Sequence, residues 1–366
     1  MGTPLGRARI EFFNALLPLG PRPVPRDMMN LLMDASFEEQ YRAAMQGVLA
    51  LDRAHLAVVA VRGKDQESFL QNMLTNDVRS LAPGTGIPAA FLTNKGKLVS
   101  DLLVFREEDR FLLQMERERA EPFRKALDRY IISEDVALES RRDQEATFSL
   151  EGPGASAVLG ELAGVRASEL DELAHLHFRS SSAADVPARV VAMRRALTPR
   201  FDVTASPGAA KRLLERALEH GALLGGESVR ETRRLEASTP RFGIDMDESH
   251  FPLEAGLDEA VSFQKGCYIG QEYVARLAHR GHLNRRLAGL RLPGREAPAA
   301  GSAVLRDGEE AGAVTSSAFS PSFEGNLAFA YLKRGHWEPG TELTVGGRRA
   351  TVSSLPFSLP VRVQGT

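Results

Sequence analysis

A single cysteine, Cys267, stands among 366 residues. One thiol cannot close an intrachain disulfide, nor supply the four-cysteine set of a structural zinc or iron–sulfur site. The chain fits a reducing compartment, so a cytoplasmic protein is expected (mitochondrial matrix if the source is eukaryotic). Long hydrophobic runs are missing too. The longest, such as Leu56 to Val61, fall far short of the ~20 residues a membrane helix needs. No charge sign dominates: 46 basic and 48 acidic residues leave a net charge of -2, which argues against nucleic acid or an anionic membrane as a partner. Rossmann, P-loop and HExxH motifs are absent. The first residues lack a sustained apolar stretch and a small-residue cleavage site, so no secretory signal is expected.

What is present is ordinary globular material, with 43% hydrophobic and 26% charged residues. That suffices for sizeable cores in roughly two to three domains. Prolines 18, 21, 23 and 25 break the N-terminal stretch into a loosely attached extension. From there the pattern predicts a helix over Phe37 to Leu49 with Ser36 as N-cap, a buried strand over Leu56 to Val61, and a helix from Asp65. Strands follow over Ile87 to Thr93, Leu98 to Phe105 and Arg110 to Met115, with Lys95-Gly96-Lys97 as the first turn. Mixed hairpins and single helices continue to about residue 280 and point to an α+β class with antiparallel sheets. Beyond Asn284, short strands punctuated by Gly and Pro read as a small β-barrel. The expected division is an extension over 1–35, α+β units over 36–150 and 151–283, and a barrel over 284–366.

The most informative stretch is Lys265-Gly266-Cys267-Tyr268-Ile269-Gly270-Gln271-Glu272. Two glycines bracket the cysteine, and a helix is expected to follow at once. Unpaired N–H groups at a helix start and the nearby Lys265 ammonium would favour a thiolate. The same residues also suit a small buried cysteine in a turn. His279 and His282 form an HxxH that could join Cys267 on a metal; helix-end histidines are the preferred reading, and no metal is expected. Arg276, Arg280, Arg285 and Arg286 form a local basic strip.

The octapeptide KGCYIGQE resembles the hallmark of the YgfZ family, folate-binding proteins built like the T-protein (aminomethyltransferase) of glycine cleavage and linked to iron–sulfur enzymes. FLQNMLTNDV (Phe69 to Val78), NKGKLVSDLLVFR (Asn94 to Arg106), LEGPGA (Leu150 to Ala155) and RLEASTPRFGIDMDESHFPLEAGL (Arg234 to Leu257) extend the resemblance, as do VTSSAFSPSFEGNLAFAYL (Val314 to Leu332) and LPF (Leu355 to Phe357). The resemblance implies a T-protein-like folate-binding fold: two α+β units around a central channel, plus a C-terminal β-barrel. Tetrahydrofolate is the implied cofactor. Asp101 matches the acid of the T-protein's DDL-type motif, whose preceding acid is here Ser100. Arg230 and Arg234 match arginines near the folate tail, where a guanidinium fork suits glutamate carboxylates. Read without the resemblance, Asp101 is a solvent-facing strand residue and the arginines a solvated helix face. Cys267, as the thiol, and Lys265, as the cation beside it, are the expected catalytic residues.

In the T-protein a YTGE-type glutamate meets the pterin. The stretch Leu197 to Asp202 has no carboxylate clearly in that place, and the T-protein lacks the octapeptide cysteine. The expectation is therefore a monomeric tetrahydrofolate-binding accessory protein for assembly or repair of iron–sulfur enzymes, whose partners are cluster-assembly proteins or client enzymes. The alternative is an aminomethyltransferase that passes a one-carbon unit to tetrahydrofolate.

Overall fold

The computed structural model describes residues 35–181, 187–279 and 282–359, and of His279 the main chain alone. Most of the expected N-terminal extension lies outside these residues. Helix α1 (Phe37–Gln46) starts on Ser36, whose side chain accepts from the Glu39 N–H while Glu39 reaches back to the Ser36 N–H. The helix ends at Gly47, earlier than the pattern predicts, and the chain enters strand β1 (Leu49–Asp52). Pairing decides this: β1 holds β7 (Ala146–Glu151) on one side, and ladder bonds outweigh a few more helical residues.

Between them run β2 (Leu56–Arg62), α2 (Gln66–Met73), β3 (Thr85–Leu92), β4 (Leu98–Arg106), β5 (Phe111–Glu116), α3 (Arg117–Asp128) and β6 (Ala137–Ser140). After β7 come α4 (Ala155–Ala163), α5 (Ala167–Asp171), β8 (Phe178–Ser181), β9 (Ala188–Met193), β10 (Arg200–Ala205), α6 (Pro207–Glu219), β11 (Leu223–Leu224), α7 (Glu227–Glu236) and α8 (Gln271–His279). One sheet has six strands in the order β11-β1-β7-β10-β9-β8, and another five in the order β3-β4-β5-β2-β6. Pairing in the first is antiparallel except for β1 with β11.

The remaining strands are β12 (Arg285–Leu292), β13 (Ala303–Arg306), β14 (Glu309–Ser320), β15 (Gly325–Lys333), β16 (Glu342–Val345) and β17 (Arg348–Ser353). They close into a barrel, β12-β15-β14-β13-β16-β17. Leu290, Val304, Ala330, Leu332 and Val345 fill its interior.

The chain forms two compact units, neither of them contiguous. Of the described residues, the first takes those up to Gln71, Asp77–Pro88 and those from Leu102 to Arg230; the second takes Asn72–Asn76, Ala89–Asp101 and those from Glu231 onward. In the first, Phe148, Leu150, Phe201 and Val203 pack with Leu159, Leu162, Leu213 and Leu214. The alternate residues of β7 and β10, Ser149, Glu151 and Asp202, are polar yet buried. In the second, Leu92, Leu98, Phe242, Met246, Tyr268 and Val274 form a core outside the barrel.

Candidate functional site

In the second unit the octapeptide begins with a buried anchor. The Lys265 ammonium donates to the main-chain carbonyls of Leu74 at 2.7 Å and Asn76 at 2.9 Å. It also stands 5.3 Å from the centre of the Tyr268 ring. Two residues on, Cys267 is a free, exposed thiol. It does not sit at a helix start: Gly270, at φ 81°, turns the chain, and α8 begins only at Gln271. A helix dipole fades within its first turn, so it gives the sulfur little.

Asp101 is partly buried on β4, with its side chain on the face opposite the fully buried Ser100. Ser100 donates its hydroxyl to the Asp101 carbonyl at 2.8 Å. The turn that leads into β4 is tight: the Thr93 N–H donates to Lys97 O at 2.8 Å, and the Gly96 N–H to Thr93 O at 2.9 Å.

Arg234 is occupied in its own unit. It donates to the Asp245 carboxylate at 2.6 Å, to Thr239 O at 2.7 Å and to Glu231 at 2.9 Å. Burial would lower the guanidinium's pKa, but Asp245 and Glu231 outweigh it and hold it above its ordinary value. The other Asp245 oxygen accepts from Thr315 and Ser316 of β14, each at 2.6 Å. Arg234 thus fastens α7 to the barrel.

Arg230 lies in the first unit. It forks onto Glu227 and meets His55 Nδ1 at 2.8 Å. A polar network that the sequence reading did not single out lies in the same unit. Arg53 donates to Ser149 at 2.7 Å, Ser149 to Asp202 at 2.7 Å, and Arg200 forks onto Asp202 at 3.0 and 3.2 Å. Burial pushes the Asp202 carboxyl up, but Arg200, Arg53 and the hydrogen bonds bring it below the usual carboxylate range. Burial, then Arg195 and Arg200, push His175 down to about 4, so it is neutral near pH 7. No motif signals this network. Its only sequence trace is polar residues at every second position of two β strands.

Burial raises Asp52 to about 6, against the Ala54 N–H, Arg230 and Arg53. Its folded pKa exceeds its ordinary value of 3.8, so ionisation costs stability as pH rises from about 4 through 6. Asp52→Asn, which can still accept from Ala54, should raise stability at pH 7 by on the order of 1–3 kcal/mol. Urea unfolding at pH 7 and below pH 4 checks this; a gain of equal size at both values would refute the titration account.

A cleft of about 710 Å³ in the first unit is lined by Glu107, Arg110, Arg141, Glu145, Arg179 and Arg189 among others; Asp101, Arg230, Arg234, Lys265 and Cys267 do not line it. Among the described residues no group of three or more His, Cys, Asp or Glu side chains could hold a metal. His282 is exposed, and His279 is the last residue of α8. No helix among the described residues is long and apolar enough to cross a membrane.

Two family patterns match the chain. The GCVT N-terminal domain covers residues 11–265, and the glycine cleavage T-protein C-terminal barrel domain covers 285–358. The chain is 32% identical to an aminomethyltransferase of Symbiobacterium thermophilum, over 97% of this chain and 96% of that one. It is 31% identical to an aminomethyltransferase of Rubrobacter xylanophilus, over 88% and 86% respectively. Among solved structures it resembles the glycine cleavage system aminomethyltransferase T from Bartonella henselae, with a TM-score of 0.78 and 25% identity over 87% of this chain and 88% of that one. These names overturn the expected role as an accessory to iron–sulfur enzymes: nearly full-length relatives carry the activity held above as the alternative.

Proposed function

The chain belongs to the glycine cleavage T-protein family, and from that premise we propose that it is an aminomethyltransferase-type enzyme that passes a one-carbon unit to tetrahydrofolate. Its paired sheets with a C-terminal closed barrel are the T-protein fold. The observation that carries the reading is coverage: the likeness to a named aminomethyltransferase runs over nearly the whole of both chains.

Asp101 is the group assigned to the pterin. A carboxylate on β4 can accept from pterin N–H groups, and an ionised acceptor strengthens such bonds. Arg230, as the resemblance implies, is assigned to the folate carboxylates, for which its fork would exchange Glu227 while His55 stays on Nη1. Arg234, given over to Asp245, Thr239 and Glu231, acts one step back by holding α7 in place. The octapeptide supports a place on the YgfZ-like branch of the family, with the exposed Cys267 as a thiol serving the same folate chemistry.

The test uses the full chain with a lipoyl carrier bearing an aminomethyl group. Ammonia release that depends on tetrahydrofolate is expected. Calorimetry should show tetrahydrofolate binding, weakened on the order of ten- to a hundredfold in Asp101→Ala, the usual cost of a lost charged hydrogen bond. Binding without transfer would sink the enzymatic reading. An unchanged affinity in Asp101→Ala would remove that residue from the pterin.

A further inference from the structure

Three sequence motifs that lie far apart in the chain meet in the second unit. The first is the segment just past α2. The Thr75 N–H donates to Ala90 O at 3.0 Å, and the Thr75 hydroxyl accepts from the Ala90 N–H at 2.8 Å. That hydroxyl also donates to Ala260 O at 2.5 Å, and the Asn76 side chain donates to Glu259 O at 2.9 Å. The same segment presents the Leu74 and Asn76 carbonyls that hold Lys265.

The second motif is the turn into β4, and the third is the far end of the octapeptide. They touch backbone to backbone. A Cβ on Gly270 would fall 2.6 Å from Thr93 O and 2.9 Å from Gly96 Cα; one on Gly96 would fall 2.7 Å from Tyr273 Cβ. Both glycines also have positive φ, 73° for Gly96 and 81° for Gly270, which side chains disfavour. The octapeptide is therefore held at both ends: at Lys265 by a buried ammonium on two carbonyls, at Gly270 by a contact with room for no side chain. Cys267 sits exposed between the two anchors.

We infer that Lys265 and Gly270 are positioning residues, which fix the Cys267 segment against the turn that leads into the Asp101 strand. Lys265 acts through the main chain and not by contact with reacting atoms. A bare ammonium on a flexible stem becomes a fixed strut when its donors are taken up by carbonyls at the bottom of a packed segment. The catalytic part of this inference rests on the proposed transfer to tetrahydrofolate; the geometric part does not.

Because Cys267 is the chain's one cysteine, a nitroxide label reports on this segment without removing any other thiol. Lys265→Met keeps most of the stem and deletes the ammonium; Gly270→Ala attacks the other anchor. Each labelled variant should show a mobile spectrum where the parent shows an ordered one, with the far-ultraviolet circular dichroism unchanged. If Lys265→Met does not fold, Gly270→Ala carries the spectral test alone. Unlabelled, the variants should lose on the order of ten- to a hundredfold in kcat for transfer, the cost of a small misplacement of a reacting group, with the KM for tetrahydrofolate within about twofold. Ordered spectra in the folded variants would overturn the inference, as would a loss of kcat matched by the loss of folded protein. Absence of transfer in the parent would instead refute the proposed function, and the spectra would still decide the geometric claim.

Discussion

Asp245→Ala should destabilise the protein by about 3–5 kcal/mol. Asp245 is 1% exposed and receives four hydrogen bonds: from Arg234, from the Arg241 N–H, and from the Thr315 and Ser316 hydroxyls. Removing it leaves a buried guanidinium, itself only 7% exposed, with Glu231 as its remaining carboxylate, and two hydroxyls without that acceptor. Taking the closer of two carboxylates from a buried charge costs far more than the pair contributes, since the ions were already stripped of water. Asp245→Asn keeps acceptor capacity for the hydroxyls and should lose less. Urea unfolding monitored at the single tryptophan, Trp337, which packs against the barrel core, gives the values. A loss under about 1 kcal/mol in Asp245→Ala would mean that water reaches Arg234 and that the fastening is weak.

A comparable loss, again about 3–5 kcal/mol, is expected for Asp202→Ala in the first unit. Here one carboxylate serves two cations. Burial already brings Arg53 down to about 10, with repulsion from Arg200 adding to it and Asp202 and Glu151 opposing it. Without Asp202, two guanidiniums and the Ser149 hydroxyl share a space that excludes water. The pH dependence discriminates. Arg53 in the variant would have a folded pKa further below its ordinary value, so the deficit should shrink as pH rises toward 10. A deficit that stays constant from pH 7 to 10 would assign the loss to packing alone.

The two networks show what the sequence displays and what it hides. The punctuation by Gly and Pro exposes the barrel: the short strands expected beyond Asn284 include Ala303–Arg306 and Glu342–Val345. Local chemistry exposes the start of α1, because Ser36 and Glu39 satisfy each other within one turn. The octapeptide is visible as a motif, but the destination of its lysine is not. Lys265 reads as a cation beside a thiol, and its ammonium is fixed by carbonyls 191 and 189 positions away. Arg233 misleads in the same way. In a run of charged residues it looks solvated, yet it is 2% exposed and paired with the buried Glu236. Charge patterns along a helix do not reveal which face a later domain will cover. The split into two units is hidden for a related reason: β3 and β4 each begin in one unit and end in the other, so no linker composition marks the border.

A protein so rich in strands must also avoid pairing with copies of itself, and the segment past α2 bears on this. Open strand edges are templates for aggregation unless they are short, charged or covered. The barrel is closed and offers none. Among the described residues, the strands at three of the four sheet margins are brief: two residues in β11 and four each in β6 and β8. The fourth, β3, has eight residues, long enough to recruit a neighbour. Its inner half is occupied by Leu74, which bridges to Phe91, and by Thr75 on Ala90. The segment that holds Lys265 therefore also covers part of a strand edge, and substitutions at Thr75 should reduce solubility.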